Sequence, residues 1–292
     1  MKPPPFEYFD PRSVAEAVAL LAEHGDRAKV LAGGQSLVPL LNFRLIRPAV
    51  LVDVNRIAAL AYIREQDGTL ALGALTRLHV VESSPALRRH VPLLATAAAH
   101  VGHLAIRHRG TIGGNLAHAD PASELPAVLL ALEGQVVATG PRGERVIAAA
   151  DFFRGALTTA LEPTELVSEV RVPVTPGGSG EAFLQVSRRE GDFALAGVGV
   201  LIQRAPDGRC ARARLGLCGV GDTAVRPREA ERILERDGVT EDSLRAAARE
   251  VEQAVAPSDD VQASAEYRRH VAGVLTVRAV RQAWARAGQG ER

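Results

Sequence analysis

Two glycine-rich segments carry the clearest chemistry in this chain: Ala32-Gly33-Gly34-Gln35-Ser36-Leu37 near the start, and Thr111-Ile112-Gly113-Gly114-Asn115 downstream, each flanked by apolar residues. Paired glycines let backbone N–H groups approach an anionic ligand with no Cβ in the way. Ser36, Thr111 and Asn115 add side-chain hydrogen bonds to phosphate oxygens. Either segment alone fits a tight turn equally well. Together they point to a bound dinucleotide whose pyrophosphate is gripped from both sides. Neither reads G-x-G-x-x-G, which argues against the usual nicotinamide site.

The remaining reactive side chains form no convincing constellation. His100 and His103 stand one helical turn apart with His108 beyond, but no acid or cysteine completes a ligand set, so surface or hydrogen-bonding roles are expected and no metal ligand is assigned. His118 and Asp120 follow the second glycine segment where a ligand edge could lie. Orienting that segment is the favoured role, with acid–base work as the alternative. Arg107 and Arg109 fit a counter-charge to pyrophosphate and a solvated face equally well. Arg188-Arg189-Glu190-Gly191-Asp192-Phe193 joins a positive pair, a turn and an aromatic, and a solvated hairpin turn explains it as readily as a ligand contact. Gly216-Leu217-Cys218-Gly219-Val220-Gly221 reads as a strand-end turn. Trp284 is expected to pack on a terminal helix, and no catalytic residue is assigned.

Bulk composition narrows the partners. The chain has 292 residues, 47% hydrophobic, enough for two or three compact units with sizeable cores. A net charge of +1, from 35 basic against 34 acidic residues, gives no overall pull toward nucleic acid or an anionic membrane. Cys210 and Cys218 are too few for a disulfide framework, an iron–sulfur cluster or a four-cysteine zinc site, and read as apolar strand fillers in a reduced, cytoplasmic setting. Met1-Lys2-Pro3-Pro4-Pro5 lacks the apolar core of a signal peptide, and the apolar runs stop well short of a membrane span.

The elements that must position the glycine segments follow from periodicity. Ser13-Val14-Ala15-Glu16 resembles a capping box, and Val14, Ala17, Val18 and Leu21 recur at helical spacing up to Gly25. Strands are expected at Ala28 to Ala32 and Val50 to Val54, making a small βαβ-like unit over 1–55. Strand-like pieces follow at Ala61 to Ile63 and Leu70 to Gly73, then a Ser84-Pro85 break, a helix from Pro92 to about His100, a buried helix over Ala127 to Leu132 and a strand from Gln135 to Thr139. These place a second α+β unit at 56–176. Gly177-Gly178-Ser179-Gly180 reads as a linker. Beyond it, strands at Gly197 to Gln203 and Ala211 to Gly216 flank the turn Pro206-Asp207-Gly208 and are expected to pair antiparallel. Helices are expected at Arg228 to Arg236, Leu244 to Val255 and Ala263 to Ala287, within a C-terminal unit over 177–292.

The two glycine segments and the Arg188 to Ala194 run resemble the signature loops of the FAD-binding medium subunit of molybdenum hydroxylases, the group that includes carbon monoxide and xanthine dehydrogenases. Pro5-Phe6-Glu7-Tyr8 and Tyr267 to Leu275 extend the likeness to nearly the whole chain. The resemblance implies an α+β fold: a two-part FAD-binding domain of the vanillyl-alcohol oxidase type, then a C-terminal α+β domain with antiparallel sheet and helices. It also implies an oxidoreductase subunit that passes electrons from iron–sulfur clusters to an external acceptor. The implied partners are a molybdenum-cofactor large subunit and a 2Fe-2S small subunit, as a dimer of heterotrimers.

By the same likeness, Ala32 to Leu37 and Thr111 to Asn115 contact FAD, joined by Val101, Asp120 and an acidic contact at Glu124. Leu166 and Val167 lie near the isoalloxazine, and Phe193 covers one flavin face. Gln185 stands where many members carry lysine, and the cysteine-rich insertion of members with an extra cluster is absent. Two other readings compete: a self-contained flavin oxidase, and a scaffold subunit that has lost its flavin.

Overall fold

The computed structural model describes residues 2–287; Met1 and residues 288–292, the end of the expected C-terminal unit, lie outside them. Near the N-terminus β1 (Glu7–Phe9) leads to α1 (Val14–His24). Ser13 caps that helix by accepting from the Glu16 N–H at 3.2 Å, Gly25 closes it, and Ala17, Val18 and Leu21 form its buried face. Next come β2 (Ala28–Leu31), α2 (Leu37–Asn42) and β3 (Val50–Asp53). The apolar β3 lies between β1 and β2, parallel to both, so the βαβ-like expectation holds. The first glycine segment leaves the end of β2 and enters α2.

A second layer starts with the hairpin β4 (Ile63–Gln66) and β5 (Thr69–Gly73). Short helices follow: α3 (Leu78–Ser83), α4 (Pro85–His90), α5 (Pro92–His100), α6 (Leu104–Arg109), α7 (Ile112–His118) and α8 (Glu124–Ala131). The chain continues through β6 (Gln135–Gly140), β7 (Gly143–Ala148), α9 (Ala149–Phe152), β8 (Phe153–Gly155), β9 (Thr158–Thr159) and β10 (Leu166–Pro173). An antiparallel sheet in the order β4-β5-β10-β6-β7 backs the helices, and α8 is buried along its whole length.

Two local expectations change here. Ser84-Pro85 is a helix start as well as a break: the Ser84 hydroxyl caps α4, and Pro85 occupies the first turn, where its missing N–H costs nothing. Ala61 belongs to the end of a 3-10 turn, with its N–H on the Ala58 carbonyl, so the strand begins only at Ile63.

The C-terminal part is an antiparallel sheet of β11 (Ser179–Ser187), β12 (Ala194–Arg204) and β13 (Cys210–Cys218), followed by α10 (Arg228–Asp237), α11 (Glu241–Ala254) and α12 (Ala265–Ala287). One sheet face packs on these helices through Val198, Val200 and Leu215. The other supplies Phe183, Leu201 and Cys218 to the core shared with α5 and α8. The expected linker is partly strand: Ser179 and Gly180 pair with Gln203 and Ile202. Gly180 is there because α12 crosses it, and a Cβ would fall 2.0 Å from the Ala283 carbonyl oxygen. Trp284 packs beneath the Arg204 guanidinium at 4.8 Å.

Candidate functional site

The two glycine segments meet. A Cβ built on Gly33 would lie 2.5 Å from the Arg109 carbonyl oxygen and 2.7 Å from the Gly110 Cα, so the first segment rests on the backbone that leads into the second. Among the described residues, the N–H groups of Gly33, Gly34, Gln35, Ser36 and Leu37 donate to no protein acceptor. The Gln35 side chain holds the turn by donating to the Gly33 carbonyl at 3.0 Å. Ala32 to Leu37 are half-buried, so five unpaired donors share one recess. Such a nest of N–H groups suits an anion.

The second segment is the first turn of α7 rather than a loop. Thr111 caps it by accepting from the Gly114 N–H at 3.1 Å. Ile112 and Gly113 donate to the Thr76 and Ala74 carbonyls at 3.0 and 2.9 Å. Gly113 has no room for a side chain, because a Cβ would come within 2.5 Å of the Ala74 Cβ. Gly33 and Gly113 therefore permit protein to touch protein. Gly34, at φ 73°, and the half-buried Gly114 remain on the recess.

Around α7, Asn115 accepts from the Ser123 hydroxyl at 2.9 Å, and Asp120 closes its own turn by accepting from the Ala122 N–H at 2.9 Å. His118 and Asp120 approach to 3.9 Å. Glu124 opens α8 and is buried; burial pushes its carboxyl up to about 7, with Asp120 adding to the rise. The Gln185 amide from β11 opposes that shift, and the Gln185 Oε1 finds no partner among the described residues. A buried acceptor left without a donor is costly in a finished interior and suits the wall of a ligand site.

Leu166 and Val167 are buried at 3% and 7%, on opposite faces of β10: Leu166 enters the core beneath α1, and Val167 the core beneath the helices. Their side chains are occupied by packing, which leaves their backbone for any ligand. Val101 is buried at the end of α5, and its carbonyl accepts from Arg107 at 3.5 Å. The Arg107 charge is shared with Glu82 at 2.7 Å. Phe193 is 66% exposed at the β11–β12 turn, and Gly191 of that turn lies against the His103 ring at the start of α6. The His100 ring lies tilted against Phe183, and His79 against His108. Among the described residues no group of three His, Cys, Asp or Glu side chains is arranged to hold a metal, and both cysteines are unpaired and buried. Among the described residues no helix is long and apolar enough to cross a membrane.

Two residues with no part in the sequence argument sit at the centre: Asn55, just after β3, and Arg77, just before α3, join the two glycine segments. The signal for Asn55 was faint, an Asp-x-Asn turn after an apolar strand. Arg77 had none.

A mixed sheet-and-helix fold with paired glycine segments around unpaired N–H groups suits the pyrophosphate of a dinucleotide, and comparison identifies the domain as one that binds FAD. Residues 4–175 match the FAD binding domain in molybdopterin dehydrogenase, and residues 181–283 the CO dehydrogenase flavoprotein C-terminal domain. The chain belongs to the FAD-binding medium subunits of molybdenum hydroxylases. It is 46% identical to the 6-hydroxypseudooxynicotine dehydrogenase complex subunit alpha of Paenarthrobacter nicotinovorans, over 98% of this chain and 97% of that one. Caffeine dehydrogenase subunit beta of a Pseudomonas species is 42% identical over 97% and 96%. The carbon monoxide dehydrogenase structure from Hydrogenophaga pseudoflava superposes with a TM-score of 0.96, at 41% identity and coverage of 98% and 99%.

Proposed function

We propose that this chain is the electron-transfer flavoprotein of a molybdenum hydroxylase, passing electrons from a partner's iron–sulfur clusters to an external acceptor. The observation that carries the reading is the recess of unpaired N–H groups at Gly33 to Leu37, closed on its far side by the first turn of α7. Bound there, FAD supplies the ability to take up and release electrons. The residues of the chain bind, orient and shield it. Ala32 to Leu37, with Thr111, Gly114 and Asn115, hold the pyrophosphate, while Ile112 and Gly113 seat that turn. Asp120 and Val101 shape the recess, Glu124 and Gln185 contact the cofactor from α8 and β11, Leu166 and Val167 border the ring by backbone, and Phe193 covers it. Burial of Glu124 shifts its carboxyl toward the protonated form.

In this reading FAD belongs to a domain of residues 1–176, with subdomains 1–55 and 56–176, and the C-terminal domain occupies 177–292. The partners are a molybdenum-cofactor large subunit and a 2Fe-2S small subunit, in a cytoplasmic dimer of heterotrimers. Phe43 and Leu45, exposed at 66% and 70% after α2, support docking of a partner beside the recess. Co-purification tests this. Flavin that is reduced when substrate is added to the assembled complex, and not when it is added to this chain alone, is the expected result. Reduction by substrate in the isolated chain would make it a self-contained oxidase, and a complex without flavin would make it a scaffold.

A further inference from the structure

The glycine segments come from different subdomains, and the recess exists only if their separation is fixed. The Asn55 Nδ2 donates to the Ala32 carbonyl at 2.7 Å and to the Asp53 Oδ1 at 2.6 Å. The Arg77 Nη2 donates to the Asn55 Oδ1 at 2.6 Å, and the Nη1 of the same guanidinium donates to the Arg109 carbonyl. The chain of bonds thus runs from the entrance of the first segment, through one amide and one guanidinium, to the residue before Gly110 and the second segment. Arg77 is also bridged to Thr111, the cap of α7. Asp53 is steadied by the Asn55 N–H at 2.9 Å and by the Tyr8 hydroxyl at 2.7 Å, which anchors the near end on β1 and β3.

We propose that Asn55 and Arg77 are positioning residues that act as one clamp, setting the distance between the two halves of the pyrophosphate site. The inference rests on the assignment of that recess to FAD. Four features support it. Both ends of the clamp are main-chain carbonyls adjoining the glycines, so neither residue needs to touch the ligand. The guanidinium is a planar fork whose two arms here go to two different elements, a geometry that an ammonium on a flexible stem does not reproduce. Arg77 sits beside the Arg109 charge, a repulsive placement that its hydrogen bonds must offset. Both residues are half-buried, and the bonds of Asn55 to Ala32 and of Arg77 to Asn55 are partly shielded from water.

The test is FAD titration of the purified, flavin-stripped full chain, followed by quenching of flavin fluorescence, for wild type, Asn55→Ala, Arg77→Ala, Arg77→Lys and the double alanine variant. Thermal unfolding without FAD accompanies each. Each single variant is expected to weaken FAD binding about tenfold. The double variant should be little weaker than either, because one chain of bonds is broken only once. Arg77→Lys keeps the charge and should still lose most of the affinity. Overturning results are a lysine variant that binds like wild type, which would make Arg77 a simple counter-charge; single effects that multiply in the double variant; or lowered thermal stability with unchanged FAD affinity. Gly34→Val separates this proposal from the one beneath it. If that variant still binds FAD normally, the recess itself is misassigned. If it loses FAD while Asn55→Ala does not, only the clamp falls.

Discussion

Gly33 lies directly on the carbonyl of Arg109, with 2.5 Å between that oxygen and the place a Cβ would occupy. Backbone stands on both sides, so no flexible side chain can move aside. Gly33→Ala is expected to lower stability by about 2 kcal/mol through forced separation of the two segments. FAD affinity should fall with it. Urea denaturation and FAD titration check both, and a stable variant with normal affinity would show that the segments need not touch.

Glu124 makes stability depend on pH in a defined direction. Burial raises its carboxyl from 4.5 to about 7 in the folded chain. Between those values the folded state keeps a proton that the unfolded state has released, so stability falls as pH rises and the full cost is present above the upper value. FAD-free Glu124→Gln should therefore be more stable than wild type at about pH 8, by on the order of 2 kcal/mol, with the advantage gone near about pH 4. Denaturation at the two pH values reads this. An advantage of equal size at both would mean that ionisation of Glu124 is not its source.

A buried ion pair ties α10 to the sheet. Glu231, 4% exposed, accepts from the Leu215 N–H at 2.8 Å and from Arg226 at 2.8 and 3.0 Å, and Glu133 also receives Arg226 at 3.0 Å. Removing Glu231 leaves the buried Leu215 N–H without its acceptor and Arg226 with only the exposed Glu133, so Glu231→Ala should cost about 3 kcal/mol. A loss near zero in chemical denaturation would mean that water reaches Arg226.

Phe193 should behave in the opposite way. At 66% exposure it contributes little to folding, and Phe193→Ala should stay within about 0.5 kcal/mol of wild type. If it covers the flavin, the same variant should make bound FAD more accessible to iodide quenching. Unchanged quenching would remove Phe193 from the ring.

Much of this arrangement was legible in the chain itself. Ser13, Gly25 and the spacing of Ala17, Val18 and Leu21 specify α1 by local chemistry alone, and the apolar runs Ala28 to Leu31 and Val50 to Asp53 specify two of the parallel strands. The glycine pairs marked the recess, though for an incomplete reason: Gly33 and Gly113 answer to backbone packing from distant residues, which no local pattern encodes. Helices α3, α4 and α6 are six residues each, too short for periodicity to declare itself. Ser179 and Gly180 looked like linker because glycine and serine carry no strand signal, while their pairing partners lie more than twenty residues away. Asn55 and Arg77 escaped for a related reason, since their partners Ala32 and Arg109 come from elsewhere in the chain.

The most direct test of the central claim is the visible spectrum of the purified chain, with identification of any pigment released on denaturation. An oxidised-flavin spectrum and stoichiometric release of FAD are predicted, with FAD restored by titration if it was lost on purification. A chain that stays colourless and binds no added FAD, alone or with its partner subunits, would contradict the account.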